Sequence, residues 1–335
     1  MLKFGLNTES CHLSMQNKRM DIFQFIDFAA DLGFDGVGIN VIEKRNLQEG
    51  LGALGKDDPE HIKKVAKKIK ERGLYVDLDT RGTSYEHLAH MLEVADLLGA
   101  EVLRTFVMVG NKFSYTNLIG EFSQEGMDQA YEDLKRIIPL CEKHRVRIAV
   151  ENHAAETMAE VMDLVNRLDS PWVGVLFDYG NSIPVYEDPM HALEQCTDKL
   201  LRVHLKGQVI CKTGDENELE YCMCETAVGE GACDVVGLSK YIMTHTTLDR
   251  LNVETSYPYA GRFTRPAGTG GVAELGEGAF RIAEPPFPME KIKPLEYYSY
   301  GGDMVDELIE EQKASLVRGL KFLHQMRDDF ENGKL

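Results

Sequence analysis

The feature that most constrains this chain is one unit, a short apolar segment followed by a longer amphipathic one, repeated eight times from end to end. The apolar segments are KFGLNT (3–8), GVGINV (36–41), YVDLDT (75–80), EVLRTFV (101–107), RIAVENH (147–153), GVLFDY (174–179), LLRVHLK (200–206) and RLNVETS (250–256). Each is rich in Val, Ile, Leu or Phe and turns polar at its C-terminal end, as a buried parallel strand does. Helical patterns lie between them at 20–32, 58–72, 84–98, 127–144, 156–168, 188–198 and 234–247, with 303–330 as the eighth. Gly33, Gly73 and Gly99 follow three of these, where a left-handed cap favours glycine. Regular alternation implies parallel strands, and eight of them imply closure into an α/β (β/α)8 barrel. The alternative is an open doubly wound sheet, which gathers functional residues at one switch point. Here polar residues of catalytic type end nearly every strand, which favours the barrel. A chain of 335 residues fits one such barrel domain, 1–335, carrying an insertion.

Two stretches break the rhythm. Residues 207–233 read as a long loop after the seventh strand. Residues 257–302 form an insertion between the eighth strand and the last helix, with six of the 11 prolines and the aromatics Tyr297, Tyr298 and Tyr300. Long stretches without periodicity inside a compact domain are usually functional. The second is expected to be a lid or a partner-docking arm on the catalytic rim.

Strands five to eight each finish on a residue able to bind a cation: Glu151 in VENHA, Asp178 in LFDYGN, His204 in RVHLKG and Glu254 in NVETS. Taken singly, a carboxylate at a strand end is more often a helix cap or a salt-bridge partner. Four on consecutive strands meet around one barrel mouth. Three carboxylates would repel one another without a cation between them. With one imidazole they suit a single divalent ion, Mn²⁺ first, with Mg²⁺ or Co²⁺ as alternatives.

In this order the strings ENH, FDYGN, HLKG and VET resemble the xylose-isomerase-like (AP endonuclease family 2) superfamily of TIM barrels. That group includes ketose 3-epimerases, hydroxypyruvate isomerases, inosose dehydratases and an endonuclease branch. VGEGACDVVGLSKYIM (228–243) is similar to the Gly-Glu-Gly segment before the seventh helix in these enzymes. The resemblance covers residues 1–256 and the last helix. It implies that Glu151 and Glu254 bind metal through one oxygen and use the other as base. The length, the ENH string and the insertion together resemble the large (alpha) subunit of bacterial C-glycoside deglycosidases. Those are metal-dependent carbon–carbon lyases that release the aglycone from a 3-oxo-C-glucoside. The resemblance thus implies a sugar or glycoside substrate, a small beta-type partner subunit and a higher oligomer. A ketose isomerase or 3-epimerase, or an inosose-dehydratase-type enzyme, shares the first proton abstraction and is the alternative. A sugar-binding barrel without catalysis is a third.

Three further residues bear on the base. His153, two after Glu151, shares its face by strand alternation and is either the base or a hydrogen-bond partner behind the ligands. Lys206, two after His204, either contacts a substrate oxygen or forms a rim salt bridge. Thr8, Glu9, Asn40, Asp79, Arg81 and Arg104 are weaker candidates for the opposite wall, and His12 is the other histidine expected near the mouth.

Charge and cysteine usage narrow the setting. With 37 Lys and Arg against 55 Asp and Glu, the net charge of −18 argues against nucleic acid and against the endonuclease branch. Strands two to four ending in Asn40, Asp79 and Arg104, rather than histidines, argue the same way. The seven cysteines, Cys11, Cys141, Cys196, Cys211, Cys222, Cys224 and Cys233, form no disulfide framework. Cys222 and Cys224 lack the spacing of a zinc knuckle. The start MLKFGLNTES has no signal pattern, and no apolar run approaches the ~18 residues of a membrane span. A cytoplasmic protein without a membrane partner is expected.

Overall fold

A computed structural model of the chain describes residues 2–41, 50–107, 122–212, 220–288 and 304–335. Its centre is a closed barrel of eight parallel strands. These are β1 (Lys3–Asn7), β2 (Gly36–Asn40), β3 (Tyr75–Asp79), β4 (Val102–Thr105), β5 (Arg147–Glu151), β6 (Val173–Asp178), β7 (Leu200–Leu205) and β10 (Arg250–Val253). Each pairs with its sequence neighbour in the barrel, and β10 closes onto β1, Lys3 opposite Arg250. Around it run α1 (His12–Gln16), α2 (Ile22–Leu32), α3 (Pro59–Glu71), α4 (Tyr85–Leu98), α5 (Gln124–His144), α6 (Met158–Leu168), α7 (Pro189–Cys196), α8 (Val235–His245) and α9 (Met304–Glu331).

Local sequence explains the boundaries. Asp21 with Gln24 and Thr157 with Glu160 form reciprocal capping boxes at the starts of α2 and α6, each contributing about 1 kcal/mol. Pro59 and Pro189 open α3 and α7, where a missing N–H costs nothing. Gly33 and Gly99 end α2 and α4 at φ 98° and 80°. The five-residue α1 has no counterpart in the apolar periodicity and was not expected. Among the described residues no helix is long and apolar enough to cross a membrane. All seven cysteines are buried free thiols.

Strand alternation sorts the side chains. Phe4, Leu6, Val37, Ile39, Leu78, Val150 and Val203 point outward into the helix layer. The barrel interior is layered by the opposite phase. At its N-terminal end Arg202 Nε donates to both oxygens of Asp77 at 3.1 and 2.9 Å, and Tyr75 Oη donates to Asn252 at 2.7 Å. Gly36 makes room for this, because a Cβ there would lie 2.4 Å from the Tyr75 ring. Above it Val102, Ala149 and Leu176 form an apolar plug. The next residues up the same strands are Arg104, Glu151 and Asp178.

The stretch 207–233 is not the long loop its sequence suggests. β8 (Gly207–Lys212) and β9 (Tyr221–Thr226) form an antiparallel hairpin, and β11 (Ala260–Gly261) adds a third strand. The sheet is buried on both faces. Val209, Cys211, Cys222 and Cys224 pack with Tyr257 and Phe287. Ile210 and Met223 pack with Ile183 and Phe280. Of the insertion, 257–288 is described and lies folded over this hairpin. Ala283 N donates to Ile210 O at 2.8 Å, Gly270 N to Val185 O at 3.0 Å, and Val272 N to Tyr186 O at 2.9 Å. Arg265 reaches Ala155 O at 3.0 Å and pairs with Glu160. Tyr297, Tyr298 and Tyr300 lie outside the described residues.

Candidate metal centre

Glu151 and Asp178 end β5 and β6, His204 is the penultimate residue of β7, and Glu254 follows β10 directly. The register sets Asp178 beside His204. One donor atom from each of the four lies within 4.8 Å of the other three, and all four side chains are buried. His204 presents Nδ1 to the group, 2.9 Å from Glu254 Oε2, 3.3 Å from Glu151 Oε1 and 3.9 Å from Asp178 Oδ2. Its other nitrogen, Nε2, lies 3.4 Å from Asp79 Oδ2. Asp79 in turn accepts from Asn7. An outer carboxylate of this kind fixes ring orientation and tautomer for a metal-binding imidazole.

Two fixed cations flank the acids. Arg104 Nε lies 2.6 Å from Glu151 Oε2, and its terminal nitrogen donates to Glu254 Oε1 at 3.3 Å. Lys206 Nζ sits 3.0 Å from Asp178 Oδ2, 3.8 Å from Glu254 Oε2 and 3.9 Å from Glu225 Oε1, and donates to Asn181 Oδ1 at 3.2 Å. Asn181 also donates to Glu151 Oε1 at 3.2 Å. The Asp178 Oδ1 atom accepts the backbone N–H groups of Gly180 and Asn181, which fixes the carboxylate.

The charges respond accordingly. Burial pushes Asp178 up to about 6, against the pull of Lys206. Burial opposes the His204 charge, yet Glu254 and Asp79 outweigh it and hold the ring well above the ordinary imidazole range. Glu254 is held well below the carboxylate range, its burial outweighed by His204 and Arg104. Burial pushes Glu225 up to about 7, with Lys206 acting in the other direction.

The residues fit a divalent cation. Asp79, Glu151, Asp178, Glu225 and Glu254 are all buried, facing Arg104, Lys206 and the His204 ring that these acids hold charged, so the acids outnumber the cations by two. An excess of buried like charge is costly. Asp178 Oδ2 and Glu151 Oε2 accept no hydrogen bond of good geometry and are held by ion pairs alone. Three carboxylate oxygens and one imidazole nitrogen make an oxygen-dominated donor set.

The remaining candidates divide. His153 lies two residues past the end of β5, so strand alternation does not place it. It stacks on Phe106 instead, centroids 3.7 Å apart and planes 6° apart, with Nδ1 buried and without a hydrogen bond. Burial, then Arg104 and Lys206, push the ring down to about 3, so it is neutral. Of the expected wall residues, Asp79 lies against His204, and Arg104 pairs with Glu151 and Glu254. Thr8 Oγ1 accepts from Asn40 N at 2.9 Å, and Asn40 Nδ2 donates to Glu9 at 3.4 Å, so these three brace the rim of β1 and β2. Arg81 is half-buried and outside the cluster. His12 is buried on α1 and faces the last helix, its Nδ1 3.1 Å from Gln312 Nε2.

Sequence reasoning missed Asn181, Gln208 and Glu225. Asn181 stands in the FDYGN string itself and was open to view. The other two required knowing that β8 and β9 pair as antiparallel strands and bring Glu225 to Lys206.

A family profile described as Xylose isomerase-like TIM barrel matches residues 26–244. The 3-oxo-isoapionate decarboxylase of Pectobacterium atrosepticum is 23% identical over 184 residues, 55% of this chain and 62% of the relative. An inosose dehydratase of Bacillus cereus is 29% identical over 121 residues, 35% of this chain and 40% of the relative. The chain thus spans less than two thirds of the length of these curated relatives. Among solved structures, D-psicose 3-epimerase from Clostridium cellulolyticum superposes with a TM-score of 0.60 at 14% identity, covering 96% of this chain and 99% of the other. That likeness concerns the fold.

Proposed function

As this chain belongs to the xylose isomerase-like TIM barrel family, we propose that it is a divalent-cation-dependent enzyme that removes a proton next to the carbonyl of a sugar-type substrate. The observation that carries this is the convergence of Glu151, Asp178, His204 and Glu254 on one buried point. Mn²⁺ is the proposed ion, with Mg²⁺ or Co²⁺ as alternatives. When bound, the ion supplies Lewis acidity to a substrate oxygen as the neighbouring C–H ionises.

The side chains around that point divide the remaining work. Arg104 engages the second oxygens of both Glu151 and Glu254, so the oxygen that each turns away from His204 is already occupied. His153 is neutral, has a free ring nitrogen and is held flat by Phe106. It is the proposed base. Burial depresses its basicity most and Arg104 and Lys206 add to it; negative charge developing on the substrate offsets the part due to those two cations. Lys206 stays protonated and offers that charge a donor.

The first proposal for the reaction is carbon–carbon cleavage of a 3-oxo-C-glucoside. Loss of the C2 proton toward the C3 ketone leaves the C1 substituent β to the carbonyl. The C1–carbon bond then breaks with formation of a C1=C2 double bond, and the departing aglycone carbon takes up a proton. A decarboxylase of a 3-oxo compound among the relatives supports C–C cleavage at such a site. The inosose dehydratase similarity favours a second reading, in which the same carbanion expels hydroxide or, in an isomerase or epimerase, regains a proton. A small beta-type subunit docking on the insertion belongs to the first proposal, and co-expression with it should raise solubility or activity.

Mass spectrometry after incubation with a 3-oxo-C-glucoside, and separately with ketohexoses and an inosose in D2O, tests the choice. Aglycone release, lost on chelation and restored by Mn²⁺, is the expected result. Deuterium incorporation or water loss without aglycone release would replace it with the second reading. His153→Ala should keep its metal and lose about 10²–10⁴-fold in turnover, the usual worth of a general base. Full turnover would remove His153 from the base role.

A further inference from the structure

Two polar side chains on the cap hairpin carry buried atoms that nothing among the described residues satisfies. Glu225, on β9, is 2% exposed, and Gln208, on β8, is 6% exposed. The register sets them opposite each other. Gln208 Nε2 donates to Glu225 Oε1 at 3.3 Å, while Glu225 Oε2 and Gln208 Oε1 have no hydrogen-bond partner. Unpaired buried acceptors are costly, and two side by side in a native fold call for an explanation.

Their position supplies one. Glu225 Oε1 is 3.9 Å from Lys206 Nζ, which is itself 3.0 Å from Asp178 of the cation site. Gly180, two residues after Asp178, lies against Gln208, and a Cβ there would come within 2.5 Å of Gln208 Oε1. The hairpin therefore carries its polar pair directly over the rim of the cation site, on the side of Lys206.

We infer that the hairpin contributes a hydroxyl-binding subsite to the cation site, in which Glu225 and Gln208 accept hydrogen bonds from adjacent hydroxyl groups of a polyhydroxylated ring. Lys206 stands between this pair and the four donors. A substrate whose carbonyl side faces the cation site thus presents its hydroxyl-bearing edge to the hairpin. Both residues are positioning and specificity-determining groups, and the substrate class they select is a ring ketone with free vicinal hydroxyls. A buried site built to accept hydroxyl protons discriminates strongly against analogues lacking them.

This subsite rests on the proposed sugar-type substrate, and the test separates the two. Mn²⁺-loaded wild type, Glu225→Gln and Gln208→Ala are compared for apparent affinity toward a 3-oxo-C-glucoside, an inosose and a ketohexose. Mn²⁺ content and thermal unfolding are recorded for each protein. Both variants should fold and keep their metal, yet lose at least about tenfold in affinity for whichever polyol the wild type takes. Analogues lacking one hydroxyl should lose a similar factor in the wild type and little more in the matching variant. A wild type that ignores the 3-oxo-C-glucoside but takes the inosose, with the variants weakened, removes the lyase proposal and leaves the subsite standing; one that takes the ketohexose alone overturns the selection of a ring ketone. Metal-loaded variants with unchanged affinities overturn the subsite. Should one variant fail to fold, the other decides alone. Binding of none of the three by the wild type overturns both.

Discussion

Asp79 stands 3.4 Å behind His204, on the nitrogen turned away from the other donors. Its carboxylate holds the imidazole with Nδ1 toward the acids. Asp79→Asn should therefore leave the fold intact while weakening Mn²⁺ affinity about 10–100-fold, read by equilibrium dialysis; unchanged affinity would make Asp79 a packing residue. Glu156 makes a different prediction. It is 2% exposed, its Oε2 has no partner, and burial pushes its carboxyl from 4.5 up to about 8. The folded state keeps a proton that the unfolded chain releases above its lower value. Stability thus falls as pH rises from 4.5 to about 8. Glu156→Gln should raise the melting temperature on the order of 5 °C at pH 8.5 and hardly at all at pH 4.5. An equal shift at both would contradict the assignment. At this scale the convergence of the four candidate donors was legible because each sits at or next to a strand end. Arg104 and Asp79 followed from the same alternation in position but not in partner, since which side chains meet across a barrel depends on register.

Among elements, the hairpin of β8 and β9 decides how much of the mouth was foreseeable. Its strands are six residues each; β8 has only Val209 and Ile210 as a strand signal, β9 carries Cys and Met at its buried positions, and both faces are covered. No hydrophobic–polar alternation survives such burial. The barrel strands, by contrast, have helices between them that reset the pattern, so their order and number were plain. Phe280 ties the insertion to the hairpin through Ile210 and Met223, and to Ile183 between β6 and α7. Phe280→Ala should cost the cap about 3–5 kcal/mol. Hydrogen exchange should speed at Ile210 and Met223 while β5 and β6 keep their protection. Uniform acceleration would mean that cap and barrel unfold as one unit.

For the whole molecule, a barrel built from an outward apolar phase and an inward layered phase concentrates charge at one end. The apolar plug of Val102, Ala149 and Leu176 separates the Asp77–Arg202 pair below from the acids above. The upper layer carries more buried acid than Arg104, Lys206 and a charged His204 balance. The central claim is that Glu151, Asp178, His204 and Glu254 answer that imbalance by holding a single divalent ion. Equilibrium dialysis of metal-stripped protein against Mn²⁺ tests this most directly, with wild type, Glu254→Gln and His204→Ala side by side. One ion retained per wild-type chain, and none by either folded variant, is the predicted result. No retention by the wild type, or equal retention by all three, would contradict it.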